Sequence, residues 1–282
     1  MKGKLYVCAT PIGNLEDASY RLVRILGEVD LVAAEDTRRT RKLLNHYGVK
    51  ASLAAYHDAN ERKQTGYLVD KMTRGARLAL VTDGGMPGVS DPGFRLIRAC
   101  IASKIDVEVI PGPSAVLTAL VLAGLPTARF CFEGFLPKTG TAKQRRLTDL
   151  AGEERTMVFF ESPKRVVGTL TVMREIWGNR SVAIARELTK MHEEVLRGTI
   201  DEVLEQLQAR VLGEVVLVVS GTEATPGGLN AAITYAQDLV RGGTRKSQAA
   251  ATAAARFDAP RRSVYDGLLE QSPNPGGPGP GG

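Results

Sequence analysis

Four stretches of this chain combine residue types that a plain strand-to-helix connection does not need. The longest is TDGGMPGVSDPG, Thr82–Gly93, which holds four glycines, two prolines and two aspartates directly after the apolar run Leu78–Val81. The others are TPIGNL (Thr10–Leu15), EDTR (Glu35–Arg38) and PGPSA (Pro111–Ala115). Glycine removes the Cβ that keeps a ligand away from the main chain, so such segments suit a molecule gripped by backbone N–H and C=O groups. Each also leads into a helix-like stretch, whose first free N–H groups suit a carboxylate or a phosphate. Taken singly, each could be turn punctuation. A twelve-residue connection nevertheless exceeds the few residues that geometry requires. The common nucleotide signatures are missing, with no GxGxxG after a strand and no GxxxxGK[ST]. His46, His57 and His192 lack metal-ligand spacing, so no metal site is expected.

The elements that would position these loops follow from apolar periodicity. Leu5–Ala9, Leu31–Ala34, Leu78–Val81 and Val107–Ile110 read as buried parallel strands, and Ser52–Tyr56 as a weaker fifth. Leu22, Ile25, Leu26 and Val29 recur at helical spacing after the cap candidates Asp17 and Ser19. Leu96, Ile97 and Ile101, then Val116–Leu122, repeat the pattern. Strand, loop and helix in succession predict an α/β domain with an open parallel sheet, and all four loops then lie on one rim. Gly124-Leu125-Pro126 marks a boundary. Beyond it, strands at Phe130–Glu133, Met157–Glu161, Val182–Ala185, Glu194–Gly198 and Val215–Val219 alternate with helices near 142–150, 163–177 and 200–209. Their patterns predict a second α/β domain with a mixed sheet. The expected organisation is a first α/β domain over 1–124, a second over 125–226, a small basic helical appendage over 227–271 and a tail over 272–282 that is disordered by composition.

The 282 residues are 43% hydrophobic and 24% charged, ordinary values for a globular protein, and the net charge of +6 favours a polyanionic partner. Cys8, Cys100 and Cys131 are far apart and odd in number, so they read as small buried hydrophobes in a reducing compartment. The N-terminal apolar run is too short for a signal peptide and no run reaches membrane length, so a cytoplasmic location is expected. Near the C-terminus, Arg241, Arg245, Lys246, Arg256, Arg261 and Arg262 face only Asp258 over the same span.

The ordered set TPIGNLED, AAEDTRRTRKLL, TDGGMPGVSDPG, PGPSAVLTAL, EGFLPK, FFESPKRV and ARELTKMHEEVLRGT carries a resemblance. It resembles the tetrapyrrole-methylase-like, class III S-adenosylmethionine methyltransferases. Within them it is similar to the branch that methylates the ribose 2′-oxygen of a cytidine in 16S ribosomal RNA. The match runs from Leu5 to about Gly221, with a weaker one in the tail. It implies S-adenosylmethionine folded into a cleft between two domains. The matching positions are Pro11, Asp83, Gly84, Gly85, Met86, Val89, Ser90, Ser114, Ala115, Phe160, Ala185 and Glu214. Met86 stands where the family commonly has threonine, which leaves only main-chain contacts there. The resemblance also implies 16S ribosomal RNA of the small subunit as partner, and a homodimer.

A ribose hydroxyl is a poor nucleophile at neutral pH, so the implied reaction asks for a base or a charge-organising pair. Glu35, Asp36 and Glu187, which follows Arg186, are the candidates. For Glu35 and Asp36 a helix N-cap with a first-turn acid explains the same residues equally well. Arg38, Arg39, Arg41 and Lys42 read either as a solvated helix face or as phosphate contacts beside the cleft. Lys164, Arg165 and Arg186 are RNA-contact candidates at the cleft edge, with helix capping the alternative around Glu161–Arg165. Arg245, Lys246, Arg261 and Arg262 suit a helix-turn-helix-type RNA-binding appendage or a solubilising tail. Two other functions stay open: methylation of a tetrapyrrole small molecule, and nucleic-acid binding by a methylase-like core without turnover.

Overall fold

The apolar runs of the first half form one sheet: β1 (Lys4–Cys8), β2 (Leu31–Ala34), β3 (Leu53–Ala55), β4 (Arg77–Val81) and β5 (Asp106–Ile110). In this computed structural model, which describes residues 3–207, 213–222, 229–257 and 259–270, they lie in the order β3-β2-β4-β1-β5. Every pairing is parallel. Successive side chains of a strand point to opposite faces, so β1 supplies both. Tyr6 and Cys8 pack beneath α1 (Tyr20–Glu28) and α2 (Thr37–His46), against Leu22, Ile25, Leu26, Leu43 and Leu44. Leu5 and Val7 pack beneath α3 (Glu61–Thr73) and α4 (Phe94–Ala102), against Leu68, Met72, Leu96 and Cys100. Ser19 caps α1 by accepting from Leu22 N at 3.1 Å, whereas Asp17 belongs to a short 3-10 turn, Leu15–Asp17, ahead of it. The parallel order puts the loops after β1, β2, β4 and β5 on one rim, the arrangement expected from the strand pattern.

After β5 the chain enters α5 (Ala115–Ala123), whose sequence AVLTALVLA is apolar almost all round. Its Val116, Ala119, Leu120 and Ala123 bury against Val158, Ala183, Ala185, Val216 and Val218 of the second sheet. That sheet comprises β6 (Phe130–Phe135), β7 (Thr156–Glu161), β8 (Ser181–Arg186), β9 (Glu194–Thr199) and β10 (Val215–Val219), in the order β6-β7-β10-β8-β9. β6 and β7 are parallel and the remaining pairs antiparallel, the expected mixed sheet. Its other face is covered by α6 (Gly140–Asp149), α7 (Val166–Trp177) and α8 (Ile200–Gln206), around Phe159, Trp177 and Leu217. β6 runs two residues beyond Glu133 because a bulge between Phe132 and Gly134 lets pairing resume after the irregularity.

The turn between β7 and α7 is held from inside. Glu161 is buried, and its carboxylate accepts from Ser162 N at 2.8 Å and from Thr169 Oγ1 at 2.7 Å. Arg165 Nε lies 3.2 Å from the same carboxylate, and its guanidinium donates to the carbonyls of Leu136 and Pro137 at 2.9 and 3.1 Å. A buried charge so fully partnered keeps its shape, because any single loss leaves the others unsatisfied.

The chain divides into two compact units, Met1–Ala151 with Arg155–Ser220, and Gly152–Glu154 with Gly221–Gly282. The first holds both sheets. In the second, α9 (Leu229–Arg241), α10 (Lys246–Arg256) and α11 (Arg261–Glu270) form a three-helix cluster. Alanine, the strongest helix former, dominates α10, where Ala249, Ala250, Ala253 and Ala254 pack against Ala232, Ile233, Ala236, Val264 and Leu268. All three helices fall within the 227–271 stretch read as a helical appendage. Asp258 and the 272–282 tail fall outside the described residues.

Candidate active site

The four rim loops are fastened to one another by main-chain bonds. Thr10 and Gly85 exchange both N–H···O bonds at 2.9 Å, and Thr10 Oγ1 donates to Thr82 O at 3.0 Å. The β2 and β4 loops brace each other reciprocally: Asp83 N donates to Glu35 Oε2 at 3.2 Å, and Asp36 N donates to Asp83 Oδ1 at 3.2 Å. Asp36 is the N-cap of α2, accepting from Arg38 N at 2.8 Å. Ser114 caps α5 through Leu117 N at 3.4 Å.

These loops line a cavity of about 680 Å³. One wall carries Glu35, Arg39, Asp83 and Asp91, and another carries Ile12, Gly84, Gly85 and Met86. Ser114, Ala115 and Val116 continue it from the start of α5, Phe132, Phe135 and Phe160 come from the second sheet, and Lys190 and Glu214 from the loops ahead of β9 and β10. Phe160 lies edge-on to Phe132 with centroids 4.9 Å apart, and 5.5 Å from Phe135. The acidic and aromatic sides approach each other closely. A Cβ on Gly134, at the bulge of β6, would stand 3.3 Å from Ser90 Oγ.

Charge is unevenly settled around this cavity. Arg39 lies 3.3 Å from Asp83, and Arg38 pairs with Asp36 at 2.9 Å, which brings the Asp36 carboxyl down to about 2 chiefly through that side-chain hydrogen bond. Burial raises Glu35, with Asp83 and Asp58 adding to the rise against the Asp83 N–H. Burial lifts Asp91 furthest, to about 7, and the charges of Glu35, Asp83 and Asp58 push the same way. Across the cavity, Glu187 accepts from Glu214 N and from Lys190 Nζ, both at 3.0 Å, and these bonds lower it. Burial alone would lower Lys190, but Glu187 and Glu214 reverse that and raise it.

Of the residues named from sequence, Pro11, Glu35, Asp83, Gly84, Gly85, Met86, Val89, Ser114, Ala115, Phe160 and Glu214 come together in the cavity lining. Ser90, Ala185, Asp36 and Glu187 stand outside it. The Ala185 methyl is buried under α5, Asp36 serves as the helix cap, and Glu187 acts through Lys190 and Glu214. Arg165 is committed to Glu161 and two carbonyls, and Arg186 to Glu194, so neither guanidinium is open for RNA as expected; Lys164 is exposed. Arg38 and Arg41 line a shallow depression on α2, with Thr37, Lys42 and Asn45. Arg245, Arg261 and Arg262 are exposed in the second unit, where Lys246 is partly buried. Sequence reasoning missed Asp91, Lys190, Phe132 and Phe135 as lining residues. Asp91 belongs to the glycine-rich segment after β4, and Phe135 to the EGFLPK motif.

A family model described as tetrapyrrole (corrin/porphyrin) methylases matches residues 4–204. A Mycobacterium tuberculosis protein named ribosomal RNA small subunit methyltransferase I is 43% identical over 280 residues, covering 98% of each chain. The chain belongs to the tetrapyrrole methylase family, in its ribosomal RNA small subunit methyltransferase I group. A Thermotoga maritima member of that group is 45% identical over 222 residues, covering 78% of this chain and all of the relative. Among solved structures, a Thermus thermophilus uroporphyrin-III C-methyltransferase complexed with S-adenosylhomocysteine shares the fold at a TM-score of 0.55 and 19% identity, covering 77% of this chain and 97% of its own.

The residues present fit S-adenosylmethionine, the methyl donor of this methyltransferase group. The cavity falls in the usual size range for such ligands. Carboxylates of Glu35 and Asp83 suit an ammonium or ribose hydroxyls, and Ile12, Val116 and Phe160 suit an adenine. At Gly84 a Cβ would come 3.3 Å from Pro11 O, so a side chain there would crowd the wall that a ligand must approach.

The raised Asp91 carboxyl also has a cost to folding. The folded protein holds its proton to about pH 7, whereas the unfolded chain releases it near the ordinary value of 3.8. Native stability is therefore lost as pH rises through that window. Asp91→Asn is expected to melt higher than wild type, by a margin that grows from pH 4 to pH 7 and is flat above; calorimetric scans across pH that show no margin at neutral pH would contradict this.

Proposed function

We propose that this chain transfers a methyl group from S-adenosylmethionine to the ribose 2′-oxygen of a cytidine in 16S ribosomal RNA of the small subunit. The observation that carries the reading is the end-to-end match to ribosomal RNA small subunit methyltransferase I, at 43% identity over 98% of both chains. When bound, the cofactor supplies an electrophilic methyl group on a sulfonium. The protein's part is alignment of donor and acceptor in the cavity, where effective molarity can contribute about 7–11 kcal/mol at best. Glycine-lined main chain and the Glu35 and Asp83 carboxylates hold the donor. Phe135, 59% exposed against the cavity, offers a face for an unstacked base. Arg38, Arg41 and Lys42 on α2, and Arg245, Arg261 and Arg262 in the second unit, contact RNA phosphates.

The proposed setting is the cytoplasm, where small subunits are assembled. The active form is a homodimer, for which the open apolar side chains Val109 of edge strand β5 and Leu117 and Val121 of α5 provide contact area. Sedimentation equilibrium should give twice the chain mass, and charged replacements at Leu117 and Val121 should halve it; a wild-type monomer at all concentrations removes the dimer.

Purified protein with labelled S-adenosylmethionine should label 30S subunits from a strain lacking the modification, and mass spectrometry should place the methyl on a cytidine ribose. Absence of label in the RNA overturns the reading. Replacing Arg261 and Arg262 by alanine should weaken 30S binding and flatten its salt dependence by about one unit of slope per lost phosphate contact, with cofactor affinity unchanged. Unaltered 30S affinity would remove the second unit from the interface.

A further inference from the structure

Four carboxylates crowd the rim between β2 and β4, and three are already engaged. Asp36 caps α2 and pairs with Arg38. Asp83 pairs with Arg39 and accepts from Asp36 N, and Glu35 accepts from Asp83 N. Asp91 has no ion pair with any described residue, yet it lines the cavity. Beside it lies the hydroxyl of Thr82, buried to 3% exposure, which has no other hydrogen-bond partner among the described residues and whose interaction with the Asp91 carboxyl holds that group down against burial. A buried hydroxyl left unsatisfied is costly unless something completes it. Here the neighbour able to do so is the carboxyl that faces the ligand space. The position is also right for a nucleoside. Asp91 follows Ser90, which meets the β6 bulge at Gly134, so the acid stands where the carboxylate wall joins the wall bearing Phe132 and Phe135.

We propose that Asp91 is the catalytic base, accepting the proton of the ribose 2′-hydroxyl while Thr82 steadies the carboxylate. The inference rests on the methyl-transfer reading above and identifies a residue of that same site. In the step, the O–H bond breaks and its proton passes to an Asp91 carboxylate oxygen. The electron pair left on oxygen forms the new bond to the methyl carbon, and the carbon–sulfur pair returns to sulfur as a neutral thioether. The proton then leaves to water with the product. The groups facing Asp91 are Glu35 from the end of β2, Asp83 and Thr82 from the end of β4, and Asp58 from the loop after β3. The nearby cations are spoken for, Arg39 of α2 by Asp83 and Arg95 of α4 by Glu61. Three acids, with those cations engaged elsewhere, make Asp91 a stronger proton acceptor than an ordinary aspartate. A bound sulfonium would draw it back towards the ionised form that a base requires.

The test is transfer to 30S subunits at saturating cofactor across pH, beside a carbon-13 carboxyl titration of the free protein. Wild type should show an acid limb at or below about pH 7, and the Asp91 carboxyl should titrate near 7. Glu35→Gln should move both to lower pH. Asp91→Asn should lose about 10²–10⁴-fold in kcat and abolish the limb, with subunit affinity unchanged. Asp91→Glu should recover part of the rate. Asp91→Asn that keeps the wild-type rate and limb overturns the inference, as does a titration midpoint in the ordinary aspartate range. If wild type labels no RNA at all, the methyl-transfer reading falls instead, and the carboxyl midpoint still decides whether Asp91 is a poised proton acceptor.

Discussion

The two-way main-chain bridge between Thr10 and Gly85 is the constraint on which the rest of the site depends. β1 and β4 are neighbours in the sheet, and at their carboxyl ends the loops leave in step because one short antiparallel contact continues the parallel pairing. That contact fixes where Gly84 and Asp83 sit, and Asp83 in turn fixes the β2 loop through reciprocal bonds with Glu35 and Asp36. A glycine-rich segment that would be loose by composition is thereby held at both ends. The ligand space is defined by hydrogen bonds from backbone to carboxylate more than by packed side chains, and such directional contacts keep a cavity open where apolar contacts would close it.

The acidic rim shows how a fold can hold like charges together. Each of Glu35, Asp36 and Asp83 receives a backbone N–H from another loop or from its own helix, so their repulsion is offset one hydrogen bond at a time. The arrangement concentrates the residual strain on Asp91, which receives none of these bonds. Local electrostatic strain at a ligand wall is a common mark of functional sites, since an evenly relaxed surface would have no proton affinity to spend on a reaction.

Much of this could be read from residue order. Continuous apolar runs such as Leu78–Val81 announce strands buried on both faces, and a parallel sheet then puts the four polar or glycine-rich loops on one edge. The mixed second sheet was legible from the alternation in its strands. What escaped was pairwise and distant. Arg165 looks like an exposed basic residue in a Lys-Arg pair, and only its burial against Glu161 and the Leu136 carbonyl shows that it is structural. Asp91 looks like one more turn residue in SDPG, because the acids that perturb it come from the ends of β2, β3 and β4. The extension of β6 to Phe135 depends on a bulge, and a bulge leaves no periodic trace. Helix α9 carries a weaker compositional mark than the alanine-rich α10 that it packs against.

Gly124 ends α5 in the left-handed conformation and, in sequence, looks like a seam between halves. In packing it is nothing of the kind. α5 is reached from the first sheet, yet its buried face belongs to the second, where it covers Val158, Ala183, Val216 and Val218. The same helix begins at Ser114 and Ala115 on the cavity wall. A chain cut or recombined at Gly124 would hand one half a helix with no floor and leave the other a sheet with no roof. The two sheets therefore stand or fall together, because the one helix that leaves the first is the cover of the second.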